Sequence, residues 1–174
     1  MDRANLGARR SASPDRFLDK VAEPLEAVHQ IPGTHFGRLA GAPQHPTWAA
    51  FLHDRLAAYA AAAPDLAPVA ATLSREIDAL DVDVPPRLLH HDLQAGHLLG
   101  GRLLDWELAV FGDPLSDLSR LAVRLRMAAP EDTLVLAPRP GPAAEVRVHL
   151  YWRIHQLADA AFSTDPVVRE QPDP

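Results

Sequence analysis

Apolar residues recur at helical spacing along most of this chain, and that period disappears between Asp81 and Leu99. Pro85 and Pro86 exclude helix there, since neither has an amide hydrogen and each disfavours helical geometry in the residue before it. Short apolar pairs then alternate with a polar loop: Leu88-Leu89, the loop His90 to His97, Leu98-Leu99, and Leu103-Leu104 beyond Gly100-Gly101. A glycine pair between apolar pairs is a hairpin signal. The expected fold class is α+β, mostly helical, with a small β-hairpin at its centre.

Helical stripes surround this break. Phe17, Leu18, Val21, Leu25 and Val28 form one from Asp15 onward, which Pro24 should kink or divide. Ile31 to Pro46, rich in Gly, Pro and His, reads as an ordered loop. Thr47 suits the N-cap of a helix bearing Trp48, Phe51, Leu52, Leu56 and Tyr59, and Asp65 that of one bearing Leu66, Val69, Leu73, Ile77 and Leu80. Asp113-Pro114 resembles a cap followed by proline at the first helical position, ahead of Leu115, Leu118, Leu121, Ala122 and Leu125. Residues 129–142 form a proline-rich loop, and Val146, Leu150, Ile154, Leu157 and Ala161 mark a last helix. With 47% apolar and 23% charged residues, one domain over 15–163 is expected, between a loose N-terminus (1–14) and a loose tail (164–174).

Composition removes several function classes. No cysteine is present, so thiol nucleophiles, disulfides and Cys-type zinc sites are excluded. The 17 basic residues against 23 acidic ones give a net charge of −6, and basic residues never run beyond a pair, which disfavours a nucleic-acid partner. No apolar stretch approaches bilayer length and the N-terminus lacks a signal-peptide centre, so no membrane association and a cytoplasmic location are expected.

The chemistry-bearing side chains concentrate between Leu88 and Leu121. Asp92 stands in a loop with His90 and His91, His97 follows five residues later, and Asp105 directly follows an apolar strand. Carboxylates and imidazoles on loops suit metal-assisted transfer of a charged group, one carboxylate taking a proton while other ligands hold Mg²⁺ against phosphate oxygens.

The segment resembles the catalytic stretch of the aminoglycoside phosphotransferases and their choline-kinase-like and macrolide-kinase relatives, which share the protein-kinase fold. The resemblance rests on His90-His91-Asp92, then His97, then Leu104-Asp105-Trp106-Glu107, then Gly112-Asp113-Pro114 with Asp117-Leu118. It extends more faintly to His29-Gln30-Ile31-Pro32 and Phe36-Gly37-Arg38-Leu39. It implies that Asp92 is the catalytic base, that His90 braces the catalytic loop, that His97 and Asp105 bind Mg²⁺, and that Asp117 holds the loop from the next helix. ATP would be the co-substrate and a hydroxyl of a small molecule, aminoglycoside- or macrolide-like, the acceptor.

Three departures from the family pattern carry expectations of their own. His97 stands where most members have asparagine; macrolide kinases resemble this sequence in having histidine there, although imidazole suits Mg²⁺ less well than oxygen. His91 replaces a glycine and is strained if its φ is positive. The hairpin is short: a three-residue loop of Gly100, Gly101 and Arg102 would pair Leu99 with Leu103 and set His97 opposite Asp105, whereas a two-residue loop would put them out of step on opposite faces.

The family's N-terminal lobe has no counterpart: no glycine-rich phosphate loop occurs, and the single lysine, Lys20, lies in a helical stretch. Met1-Asp2-Arg3 resembles the hinge between the lobes, so the chain reads as the large C-terminal lobe alone, either truncated from a longer reading frame or with the lobe lost, and half of the ATP clamp would then be missing. An apolar face would then await the missing lobe or a partner chain. Two alternatives stay open: a degenerate lobe binding a metabolite or protein, and, more remotely, a metal hydrolase using His90, His91, Asp92 and His97. Asp113 reads as a cap worth about 1 kcal/mol, Trp106 and Phe111 as core, His149 and His155 as surface residues; His29, His35, His45 and His53 show no ligand spacing.

Overall fold

The computed structural model describes residues 14–39, 43–80 and 83–163; the hinge-like segment Met1-Asp2-Arg3 and the tail 164–174 lie outside them. Helix α1 (Pro14–His29) passes through Pro24 without a break, burying Phe17, Leu18, Val21 and Leu25. It therefore corrects the expectation of a division there. One lost amide donor does not end a helix whose apolar face is packed along its length.

Helix α2 (Trp48–Ala62) starts where Thr47 predicts, with the Thr47 hydroxyl accepting from the Ala50 amide at 3.1 Å. Helix α3 (Ala67–Leu80) begins two residues beyond Asp65, which instead lies in a short 3₁₀ turn, Pro64–Leu66. Proline at the first position of that turn sets the tighter geometry. Helix α4 (Pro114–Arg124) carries Asp113 as its cap, accepting from the Leu115 amide at 3.1 Å. The proline-rich segment contains a 3₁₀ run, Pro130–Leu136. In helix α5 (Ala144–Phe162) Leu150, Ile154 and Leu157 are buried as expected, but Val148 and Tyr151 face the core and Val146 faces solvent.

The segment expected to be a loop, 31–46, contributes two strands, β1 (Phe36–Arg38) and β2 (Gln44–His45). They join β3 (Arg87–Leu89) and β6 (Val110–Gly112) in an antiparallel sheet of order β2-β1-β6-β3. Leu89 pairs with Val110, and Gly37 with Phe111. Strands of two or three residues are too short to show a period; β6, some seventy residues away, pairs with β1, and β1 in turn with β2. Gly112 permits the sheet to close on α2, because a Cβ there would lie 2.5 Å from the Trp48 ring and 2.8 Å from Leu89.

Helix α4 is enclosed, with every residue from Leu115 to Ala122 buried between α5 and the sheet. The expected central hairpin is present as β4 (Leu98–Leu99) and β5 (Arg102–Leu103), beside the larger sheet. No helix among the described residues is long and apolar enough to cross a membrane.

Candidate active site

Strand β3 ends at Leu89 and delivers the loop His90 to Asp92 against the first turns of α4. Asp117, wholly buried on α4, gathers that loop: its Oδ2 accepts from the His90 amide at 2.9 Å and its Oδ1 from the His91 amide at 2.6 Å. His29, at the end of α1, places Nε2 at 2.9 Å from Oδ2 of the same carboxylate. Burial pushes the Asp117 carboxyl up, but the His29 contact, the His91 ring and the loop amides outweigh it and hold the carboxyl below its ordinary range. His29, dismissed on spacing, thus supports the loop across 88 residues of sequence.

His91 has φ +62°, the left-handed conformation its replacement of glycine made costly. Its half-buried ring lies against helices α4 and α5: Nε2 lies 3.0 Å from the Ser116 hydroxyl, which lies 3.0 Å from Nε2 of His155. His155 Nε2 also faces the Ser116 carbonyl at 3.1 Å, so it is the donor, and the Ser116 hydroxyl donates to His91. Burial lowers the His91 pKa to about 4 and that of His155 well below its ordinary value, so both rings are neutral near pH 7. His155 is a buried residue, not the surface one its helical spacing suggests; His149 is exposed and pairs with Glu131 at 2.9 Å.

His90 is completely buried with both nitrogens engaged. Nε2 donates to the Leu104 carbonyl at 2.8 Å, which joins the loop to the hairpin, and Nδ1 accepts from the Asp92 amide at 3.3 Å. The Trp106 ring covers it at 4.8 Å between centroids and is itself 37% exposed, so Trp106 is a lid on His90 rather than core.

The hairpin takes the two-residue register, Leu98 opposite Leu103 and Leu99 opposite Arg102. Gly100 and Gly101, at φ +57° and +76°, form the turn whose twist suits such a loop, which corrects the three-residue register. His97 and Asp105 nevertheless meet. The ladder runs on to a Leu104 amide to His97 carbonyl bond of 2.8 Å, and then Asp105, at φ +65°, leaves strand geometry and swings its carboxylate back. His97 Nε2 lies 3.4 Å from Asp105 Oδ2.

His97 Nδ1 donates to the Asp92 carbonyl at 2.8 Å, which leaves the Nε2 lone pair directed outward. The Gln94 side-chain amide donates to that nitrogen at 2.9 Å. One ligand atom each from Asp92, His97 and Asp105 falls within 4.8 Å of the others. Two carboxylates and an imidazole whose Nε2 lone pair would exchange the Gln94 amide for an ion are a donor set that fits a divalent cation such as Mg²⁺ or Mn²⁺.

Arg124, in the last turn of α4, was not anticipated. Its Nη2 and Nε donate to Asp92 Oδ1 at 2.7 and 3.2 Å. The available signal was its place two helical turns beyond Asp117, on the face that meets the loop. A cavity of about 540 Å³ opens beside the loop, bordered by Tyr59, His91, Glu107, Arg120, His155 and Asp159.

No curated protein matches the sequence significantly. Among solved structures the chain is similar to a thermostable mutant of the aminoglycoside phosphotransferase APH(4)-Ia in its apo form, at 23% identity and a TM-score of 0.54. The match covers 86% of this chain and 59% of that one. Two asparagine-to-alanine versions of that mutant, in ternary complexes with AMP-PNP and hygromycin B, match at 24% and 23% identity with TM-scores of 0.52 and 0.56. They are covered over 59% and 58% of their length, again by 86% of this chain. The chain thus spans about three fifths of these structures, and the likeness is one of fold: a mostly helical, kinase-like lobe with a small antiparallel sheet. The family described as phosphotransferase enzymes matches residues 3–145, most of the chain, which therefore belongs to that family.

Proposed function

We propose that this chain carries the proton-accepting and metal-holding part of a phosphotransferase that moves the γ-phosphate of ATP to a hydroxyl of a small molecule, aminoglycoside- or macrolide-like, in the cytoplasm. The observation that supports this best is the convergence of Asp92, His97 and Asp105, with one ligand atom each inside 4.8 Å, at the end of the loop that Asp117 holds. Phosphoryl transfer asks little covalent chemistry of the protein and much positioning, and the site consists largely of positioning bonds.

In this reading Asp92 accepts the proton of the acceptor hydroxyl as its oxygen bonds to the γ-phosphorus and the bond from that phosphorus to the bridging oxygen of ADP breaks. His97 Nε2 and Asp105 would hold the divalent ion, which when bound neutralises charge on the nucleotide phosphates. His90, with neither nitrogen free, acts as a brace between loop and hairpin. The cavity of about 540 Å³ beside His91 suits the acceptor, since Glu107 offers a carboxylate and Tyr59 an apolar wall, while Asp159 is paired with Arg120 at 2.6 Å. Leu99, Leu104, Trp106 and Leu108 are exposed along the same segment, in keeping with a further lobe or partner chain that covers the nucleotide.

Titration of Mn²⁺, then of Mg·ATP, into the native chain and into Asp105→Asn tests this reading. A loss of roughly tenfold to a hundredfold in Mn²⁺ affinity is expected for the variant. Equal binding by the two proteins would remove the metal site and the reading with it.

A further inference from the structure

The three-residue cluster poses a problem for the chemistry proposed above. A carboxylate that ligates a divalent cation is a poor acceptor for a proton, and Asp92 lies close enough to His97 and Asp105 to be drawn into the same coordination shell. The two carboxylates differ in one respect. Asp92 is 8% exposed, and its Oδ1 receives two donors of the Arg124 guanidinium, at 2.7 and 3.2 Å. Asp105 has a side chain 44% exposed and, among the described residues, its ion-pair partner is His97, with no arginine in reach.

We infer that Arg124 separates the duties of the two carboxylates: by taking up the charge of Asp92 it leaves a divalent ion to Asp105 and His97 and keeps Asp92 as the base. This rests on the proposed phosphotransferase reading. A guanidinium on one oxygen of a carboxylate stands roughly 5 Å from any cation on the other oxygen, close enough in a partly buried site for their repulsion to offset much of the carboxylate's attraction. The remaining oxygen, Oδ2, is left with weak partners, the Gln94 amide at 3.5 Å and His97 Nδ1 at 3.5 Å. Since His97 Nδ1 already donates to the Asp92 carbonyl, that oxygen is the one free to take a proton. Arg124 is thus a positioning residue, acting through Asp92. The bond spans 32 residues of sequence and depends on α4 lying across the loop, where Asp117 anchors it.

The test uses Mn²⁺ as the probe, measured by calorimetry and by the electron paramagnetic resonance of the free ion, and needs no turnover. Arg124→Gln should tighten Mn²⁺ binding by about tenfold, because Asp92 can then ligate. Asp92→Asn should change the affinity of the native chain by less than about twofold, yet abolish the gain in the Arg124→Gln background. Arg124→Lys, which keeps the charge and loses the fork, should stay near the native affinity. The Arg124 side chain is 34% exposed in the last helical turn, and melting curves check that each variant folds. Should Arg124→Gln not fold, Asp92→Asn in the native chain decides alone.

Unchanged affinity in Arg124→Gln, or an Asp92→Asn loss in the native chain as large as that of Asp105→Asn, would overturn the inference while leaving the metal site in place. Absence of Mn²⁺ binding by both the native chain and Arg124→Gln overturns the inference and the proposed function together.

Discussion

Asp117→Asn removes the carboxylate on which the loop and α4 meet, and its cost can be worked from the bonds. Oδ1 accepts from the His91 amide, and Oδ2 from the His90 amide and from His29. Asparagine keeps one acceptor and substitutes a donor for the other, so whichever way the amide is turned at least one buried backbone N–H faces another donor. An unsatisfied buried donor costs roughly 1–3 kcal/mol, and the weakened bond to His29 adds about 1 kcal/mol. The sum, roughly 2–4 kcal/mol, is a large share of the stability of a domain this size.

The same bonds hold His91 in its left-handed conformation, so relaxation of the loop is the expected response. Urea unfolding followed by tryptophan fluorescence should show the midpoint falling with little change of slope, and Tm dropping by roughly 5–15 °C. Because the Asp92 carbonyl of this loop orients the His97 ring, Mn²⁺ affinity should weaken in parallel. A midpoint and Tm equal to those of the native chain would refute the view that this carboxylate organises the loop.

Acid should destabilise the chain in two stages. His91 has a native pKa near 4 against an ordinary value of 6.5, so between these values the unfolded chain binds a proton that the native one does not, and stability falls as pH drops from about 6.5 to 4. The slope should be shallower, though not flat, in His91→Asn, since His155 is shifted the same way; an unaltered slope in calorimetric scans across that window refutes the assignment. Asp117, held below the ordinary carboxylate range, stabilises the fold above that range and loses its contribution as pH falls through its lowered native value. Gly112→Ala should cost roughly 1–3 kcal/mol by driving a methyl group into Trp48 and Leu89, read as a lowered urea midpoint; a neutral result would mean the sheet can shift away from α2.

Much of the site could be read from the chain itself. Thr47 and Asp113 announce their helices because a cap is a matter of one side chain and the next few amides. The run from His90 to Asp117 carries its residues in an order that points to the phosphotransferase pattern before any contact is known. Even the strain at His91 follows from a local rule about which residues tolerate positive φ.

What the local rules left open was decided at long range. Strands β1 and β2 exist because β6 pairs with β1, and His29, Ser116 and His155 become part of the loop's support because α1, α4 and α5 converge on it. The hairpin shows the boundary between the two kinds of information. Gly100-Gly101 sets a two-residue turn by local preference, which by alternation alone would part His97 from Asp105. The left-handed backbone of Asp105, where the chain leaves the hairpin beneath Trp106 and His90, returns its carboxylate to His97. Caps and turns are written in a few neighbouring torsions; the meeting of Asp92 with Arg124 is paid in the ordering of a whole packed lobe, and so only the folded chain shows it.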